Sequence, residues 1–233
     1  MPIDLLSKTF NRAIIATVFF LVVTLIASPV LAGDVYLNSR GDSFRLHVAS
    51  MRELRYRTVV VQHYDYSCGA AAVATLLSYS YNRPTKEDEP FRQMILHGDK
   101  QKIQRLGFSM FDMKSFMERL GYEVSGFRLT LADLKNLRVP GIALVEINGY
   151  KHFIVVRAVN DRNVLFADPA LGMQIMSKER FESIWDGVLL VIRNNLELAR
   201  ACPFTFARTG WSSYEDNLLE RLCRILVHES NTD

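Results

Sequence analysis

Three short β-type runs, joined by turns of only a few residues, constrain the fold of this chain more than any other feature of its sequence. They cover residues 141–147, 152–159 and 163–168, and each is rich in apolar and β-branched side chains. Consecutive strands joined by such short turns pair antiparallel. A further run of the same kind covers residues 187–192. The sequence therefore predicts an antiparallel sheet in the second half of the chain.

Helical patterns precede these runs. Residues 69–77 are dense in strong helix formers, with Ser67 placed to cap the helix and an Asn-Arg-Pro segment, residues 82–84, placed to end it. Further helices are predicted over residues 91–96, 113–120 and 131–137. Helices first and sheet second predict an α+β fold, with N-terminal helices packed on a C-terminal antiparallel sheet.

The first 32 residues are typical of a signal peptide for export. Lys8 and Arg12 precede an uncharged, largely apolar stretch, residues 13–32, in which Pro29 and the final Ala32 favour cleavage after Ala32. The alternative is an uncleaved anchor, because an uncharged stretch of this length just spans a bilayer. In both cases we expect the remainder to lie outside the cytoplasm, in the periplasm, either released or anchored through residues 13–32.

The rest of the chain divides by its patterns into an N-terminal segment, residues 33–57, a globular domain, residues 58–193, and a C-terminal extension, residues 194–233. The extension contains a loop and then an amphipathic helical pattern over residues 215–227. An exported compartment permits disulfides, so Cys202 and Cys223 form a candidate pair that would leave Cys68 as a free thiol, and the pairing itself stays open.

Charge and motifs exclude several classes of function. The chain has 28 Lys+Arg and 25 Asp+Glu, a net charge of +3, without a run of basic residues. This charge pattern does not indicate a nucleic-acid-binding surface. The sequence has no phosphate-binding loop, no dinucleotide fingerprint and no Cys or His pair with metal-ligand spacing. We therefore expect no cofactor and no metal.

Cys68 is the candidate nucleophile. A thiol at the start of a helix faces unpaired backbone N–H groups and the positive end of the helix dipole, and both favour the thiolate. Gln62, six residues upstream, is placed to bring its side-chain amide beside the backbone N–H of Cys68. Two such donors form an oxyanion hole for acyl transfer.

His152 is the candidate base, because the start of a strand is a rigid place to present an imidazole. Asp168 ends the next strand, so antiparallel pairing is expected to bring it beside His152, where its carboxylate orients the ring.

Each of these residues also has a purely structural interpretation. Cys68 is then a small buried hydrophobe, His152 an edge histidine, Asp168 the first residue of an Asp-Pro turn, and Gln62 a partner of local backbone. His63 is the rival base, but it lies five residues before the cysteine on the same loop and is poorly placed to take its proton.

Four segments of the sequence carry a resemblance to a known family: QHYDYSCGAAAVATLL, GFSMFDMKSFMERLGY, GYKHFIVVRAV and VLFADPALG. In this order and spacing, over residues 59–192, they resemble the papain-like double-glycine leader peptidase family, the peptidase domain of bacteriocin-exporting ABC transporters. The chain is most similar to the stand-alone exported branch of that family. The resemblance implies a papain-like cysteine peptidase fold.

The same resemblance implies that Cys68 is the nucleophile, His152 the general base and acid, Asp168 the orienting residue and Gln62 the oxyanion donor. It also implies a protein or peptide substrate, cut after small residues such as Gly-Gly. Stand-alone members accompany functional-amyloid (Fap) secretion systems, whose components are therefore the expected partners, with membrane contact only through an uncleaved signal segment. Transporter-linked members usually have an acidic residue just before the cysteine, where this chain has Ser67.

Two alternative functions remain open. One is a catalytically silent, peptidase-like module that holds a secretion substrate. The other keeps the nucleophile but directs it to cell-wall peptides, because thiol enzymes of papain-like fold also carry out that chemistry.

Overall fold

The computed structural model describes residues 34–39, 42–47 and 49–201. The predictions for the signal segment, for the helix over residues 215–227 and for the Cys202–Cys223 pair lie outside these residues. The chain divides into two compact units, and the first extends to Met51. It contains an antiparallel hairpin of β1 (Asp34–Ser39) and β2 (Asp42–His47).

The second unit extends from Arg52 onward and contains the helices and strands that matter for function. The helices that the structure describes are α1 (Met51–Tyr56), α2 (Cys68–Ser80), α3 (Asp88–His97), α4 (Lys100–Leu106), α5 (Met110–Arg119), α6 (Leu131–Leu137), α7 (Lys178–Ile184) and α8 (Leu196–Ala201). The strands are β3 (Val124–Arg128), β4 (Gly141–Ile147), β5 (Tyr150–Val159), β6 (Asn163–Asp168), β7 (Gly172–Ser177) and β8 (Trp185–Ile192).

These six strands form one sheet in the order β3-β8-β4-β5-β6-β7, and every neighbouring pair is antiparallel. The predicted antiparallel sheet and the α+β class are therefore confirmed. β3 departs from the order of helices first and sheet second, because it lies between α5 and α6 in the chain and adds to one edge of the sheet. Only its first residue is buried, so its sequence carries no alternating apolar pattern.

Helix α2 is the centre of the core. Residues 70–74, four alanines and a valine, are fully buried. Their small side chains let the helix pack closely against β4, β5 and β6. A helix that is apolar on every side belongs inside a protein. This packing places Cys68, the first residue of α2, beside the strands that carry the candidate base and the orienting carboxylate.

Several elements have no signal that the sequence analysis recognised. α4 begins where the Asp99 carboxylate accepts hydrogen bonds from the N–H groups of Gln101 and Lys102, both at 3.1 Å. β7 has little β propensity in GMQIMS, and it is a strand because it pairs along its whole length with β6. In α8, Ala199 packs into the core, so the core continues past the predicted domain boundary at residue 193.

No helix within the described ranges is long and apolar enough to cross a membrane.

Candidate active site

Cys68 is the first residue of α2, its thiol is free, and it is 7% exposed. Ser67 occupies the N-cap position, as predicted, but its side chain makes no capping bond, so the expected cap is wrong in this respect. The Ser67 hydroxyl instead contacts the Glu87 carboxylate. The N–H groups of the first turn are therefore left without a side-chain cap.

His152 and Asp168 lie together, as the strand register requires. Val155 of β5 pairs with Ala167 of β6, which places Asp168 at the end of β5 that carries His152. His152 Nε2 lies 2.9 Å from Asp168 Oδ1, and both residues are buried. The same oxygen accepts hydrogen bonds from the backbone N–H groups of Ala170 at 2.8 Å and Leu171 at 3.2 Å.

These contacts set the protonation of the pair. Burial by itself raises the pKa of Asp168, but the hydrogen bond and charge of His152 and the two backbone N–H groups hold it below its usual value. Burial lowers the pKa of His152, but the Asp168 carboxylate and the Cys68 sulfur outweigh burial and raise it to about 9. The site therefore favours an imidazolium ring at neutral pH.

The second ring nitrogen of His152 is the one available to the thiol. Nε2 is occupied by Asp168, whereas Nδ1 is buried and has no hydrogen-bond partner among the described residues. Cys68 acts on the ring by charge and by side-chain interaction, although no thiol–imidazole hydrogen bond of normal geometry is formed. Such bonds are commonly long in the absence of substrate. A buried thiol, an imidazole and an orienting carboxylate form the arrangement that activates a nucleophile.

Gln62 lies next to the turn that carries Asp168. Its backbone N–H donates to the Pro169 carbonyl at 3.1 Å. Its side-chain Oε1 is buried and accepts no hydrogen bond from any residue that the structure describes. The local-backbone alternative for the Gln62 side chain therefore finds no support at this oxygen. The structure gives no contact between the side-chain amide and Cys68.

Tyr150 is a site residue that the sequence analysis did not single out. Its hydroxyl donates to the Asp65 carbonyl at 3.2 Å, and its ring centroid lies 6.2 Å from that of His152. Burial, then the nearby Cys68 and Asp65, raise the pKa of Tyr150. Tyr150 thus joins the strand that presents the base to the loop that precedes the nucleophile. Its position, two residues before His152 in a strand, was the available signal.

Glu87, just before α3, is the second residue that the sequence analysis missed. Its carboxylate is buried and contacts Ser67 and His63. His63, the rival base, is held by this contact, with Nδ1 2.6 Å from Glu87 Oε2. The departure from the family pattern at Ser67 was a signal here, because a carboxylate from another element lies against that position.

Within the part of the chain that is described, no group of three or more His, Cys, Asp or Glu side chains has the arrangement of a metal site.

Comparison with known proteins identifies the family of this chain. The sequence profile of the Peptidase C39 family matches residues 56–197. A probable functional amyloid protease, FapD, of Pseudomonas aeruginosa is 39% identical over 145 residues, which are 62% of this chain and 64% of that protein. FapD of Pseudomonas fluorescens is 34% identical over 170 residues, which are 72% of this chain and 75% of that protein.

Among solved structures, the peptidase domain of Streptococcus ComA, a bi-functional ABC transporter involved in quorum sensing, has the same fold. It is 24% identical, with a TM-score of 0.50, and the match covers 58% of this chain and 96% of that domain. Because the Peptidase C39 profile covers more than half of the chain and includes all four candidate site residues, the chain belongs to the Peptidase C39 family, a family of cysteine peptidases.

Proposed function

We propose that this protein is an exported cysteine peptidase that hydrolyses a peptide bond in a secreted or periplasmic protein. The observation that carries the proposal is the convergence of the Cys68 thiol, the free Nδ1 of His152 and the buried Asp168 carboxylate. That set is complete for nucleophilic catalysis and for the protonation of a leaving amine.

The mechanism follows from the roles that each group is able to take. The Cys68 thiolate attacks the scissile carbonyl, and the Gln62 side-chain amide and the Cys68 backbone N–H stabilise the oxyanion. The His152 imidazolium, with Asp168 fixed at Nε2, donates its Nδ1 proton to the leaving amine. Water then attacks the thioester, His152 takes the proton of that water, and the acyl group leaves as a carboxylic acid.

The substrate that we propose is a protein of a secretion or functional-amyloid assembly system, cut after small residues such as Gly-Gly. Support for the system comes from the names of the two Pseudomonas relatives, and support for the small residues comes from the family resemblance. Export is proposed from the signal-peptide pattern of residues 1–32, with a membrane anchor over residues 13–32 as the alternative.

The test compares the purified protein with its Cys68→Ala variant on two sets of substrates, the secreted proteins of the amyloid system and purified cell-wall peptides. We expect new termini after small residues in the secreted proteins, mapped by mass spectrometry, and none with Cys68→Ala. Cleavage of wall peptides alone would favour the cell-wall alternative. A Cys68→Ala strain that keeps its amyloid secretion phenotype would identify a binding module instead of a peptidase.

A further inference from the structure

A buried carboxylate holds the loop between the proposed oxyanion donor and the nucleophile. Glu87 immediately precedes α3, and its side chain is only 3% exposed. An ionised carboxylate in such a position is costly unless hydrogen bonds satisfy it. The partners of Glu87 therefore show what its burial accomplishes.

The hydrogen bonds that the structure gives this carboxylate come from a single short loop, residues 63–67. The backbone N–H of His63 lies 3.0 and 3.2 Å from its two oxygens, and His63 Nδ1 lies 2.6 Å from Oε2. Ser67 Oγ lies 2.5 Å from Oε1. Glu87 thus forms hydrogen bonds with the first and last residues of the loop that separates Gln62 from Cys68.

The Ser67 hydroxyl connects this carboxylate to the turn itself. Ser67 is fully buried, and its Oγ lies 2.5 Å from Glu87 and 2.8 Å from the Tyr64 carbonyl. A hydroxyl has one proton to donate, and the shorter contact to the charged acceptor is the stronger one. Oγ in turn accepts the Tyr64 N–H at 3.2 Å, while the Ser67 N–H donates to the Tyr64 carbonyl at 3.2 Å.

We propose that Glu87 is a positioning residue of the active site. Its hydrogen bonds with His63 and Ser67 set the distance between the Gln62 side-chain amide and the Cys68 backbone N–H. The proposal rests on the peptidase function proposed above. Because the two oxyanion donors flank the loop, loss of the Glu87 hydrogen bonds displaces one donor relative to the other. A misplacement of about 1 Å in a catalytic group costs about 10²-fold in rate.

The main test is Glu87→Gln, which keeps the size of the side chain but removes its negative charge and replaces one acceptor oxygen by an N–H donor, so it holds the Ser67 hydroxyl and the His63 backbone N–H less tightly. We expect kcat to fall by about tenfold or more, with KM within about threefold of the wild type. The matched control is Glu89→Gln, two residues further along, where an exposed ion pair with Arg83 is lost and kcat stays within about twofold. A kcat for Glu87→Gln within twofold of the wild type overturns the proposal.

Ser67→Ala keeps the proposal testable if the Glu87 variant fails to fold. It removes one hydroxyl and leaves the hydrogen bonds between Glu87 and His63 in place. We expect kcat to fall about threefold or more. In a cycle with Glu87→Gln, the double variant should lose little more than the worse single variant, because both changes weaken the same contact between Ser67 and residue 87. Independent, multiplying losses would contradict the positioning role, as would thermal destabilisation with an unchanged kcat at a temperature where every variant is folded.

The rate of Cys68 alkylation by iodoacetamide separates failure of this proposal from failure of the proposed function. It needs no substrate, so it reports on the nucleophile even if the wild type cleaves none of the proteins offered. We expect Glu87→Gln to change this rate at least about threefold relative to Glu89→Gln, since the loop that ends at the thiol is displaced. Equal rates together with an equal kcat would refute the role of Glu87, whereas equal rates with a lowered kcat would place the displaced donor at Gln62.

Discussion

The two sides of the active site are built in different ways. The sheet side, His152 and Asp168, stands on strands joined by tight turns. The turn between β4 and β5 consists of Asn148 and Gly149, both with positive φ, at 52° and 79°, and Ile147 pairs with Tyr150 across it. The loop side, residues 62–68, contains no strand, and its shape depends on Glu87, 20 residues beyond Ser67.

This difference shows where each side is vulnerable. On the sheet side, ladder hydrogen bonds between neighbouring strands position the base and its carboxylate, so distant substitutions are expected to matter little. On the loop side, one buried carboxylate outside the motif holds the segment between two proposed catalytic groups. Substitutions that break one side and spare the other test the comparison.

The largest effect is expected on the sheet side, from His152→Ala. It removes the proposed acid and base, so kcat/KM for peptide cleavage should fall by about 10⁴-fold or more. His97→Ala is the matched control, since its ring bonds the Gln93 carbonyl on an exposed helix face and activity should stay within about twofold. Retention of more than a tenth of the activity by His152→Ala would assign the base elsewhere.

The next effect is expected on the loop side, from Gln62→Ala. Loss of one oxyanion donor costs about 10²- to 10³-fold in kcat, and KM should change little. We expect the fold to be kept, because the Gln62 backbone bond to Pro169 survives the substitution. Circular dichroism and thermal unfolding would check this expectation. A fall confined to KM would place Gln62 in substrate binding instead of oxyanion stabilisation.

Asp168→Asn removes the charge of the carboxylate that contacts His152 but keeps the size of the side chain and the His152 ring. In the wild type the pKa of His152 is about 9, against an ordinary value of 6.5, so the imidazolium and the activity that needs it should be lost only as the pH rises through about 9. Without the carboxylate, its hydrogen bond and its charge no longer raise the pKa of His152, so that pKa falls and the alkaline limb of the pH–rate profile moves to lower pH. An unchanged alkaline limb would show that Asp168 does not set the charge of the ring.

The same raised pKa has a consequence for stability. The contribution of His152 to the free energy of unfolding is fully present below pH 6.5 and is lost as the pH rises toward 9. The pKa of Asp168 is lowered, so its contribution is present above the ordinary value of 3.8 and is lost as the pH falls below it. Urea unfolding across pH checks both signs, and Asp168→Asn should flatten the alkaline slope.

The smallest effect compares two turn glycines on the sheet side. Gly149 and Gly172 both have positive φ, but a Cβ at Gly172 would lie 2.9 Å from the Arg55 carbonyl, whereas a Cβ at Gly149 would meet nothing within 4 Å. Gly149→Ala should cost about 1–2 kcal/mol of backbone strain. Gly172→Ala should cost at least about 1 kcal/mol more, because the backbone of α1 must shift. Equal losses of unfolding free energy, measured by urea unfolding, would mean that the turn after Asp168 shifts to accommodate the Cβ at little cost.

The sequence by itself determined the parts of this protein that depend on local pattern. The antiparallel sheet follows from the β-type runs and their short turns, and the helix that begins at Cys68 follows from a run of alanines. The pairing of His152 with Asp168 was also predictable, because hairpin register brings the start of one strand beside the end of the next. The catalytic roles of these residues stay predictions until the variants are measured.

Tertiary structure alone decided the rest, since it depends on contacts between residues far apart in the chain. β7 is a strand because β6 pairs with it, not because of its own side chains. The Ser67 side chain makes no helix cap, because its hydroxyl donates to a buried carboxylate 20 residues away and its oxygen accepts the Tyr64 N–H, which direct it away from the first turn of the helix. Periodicity carries no trace of such a partner, and the serine before Cys68 marks the position without identifying the residue that contacts it, so the loop side of the site becomes visible only when the chain is folded.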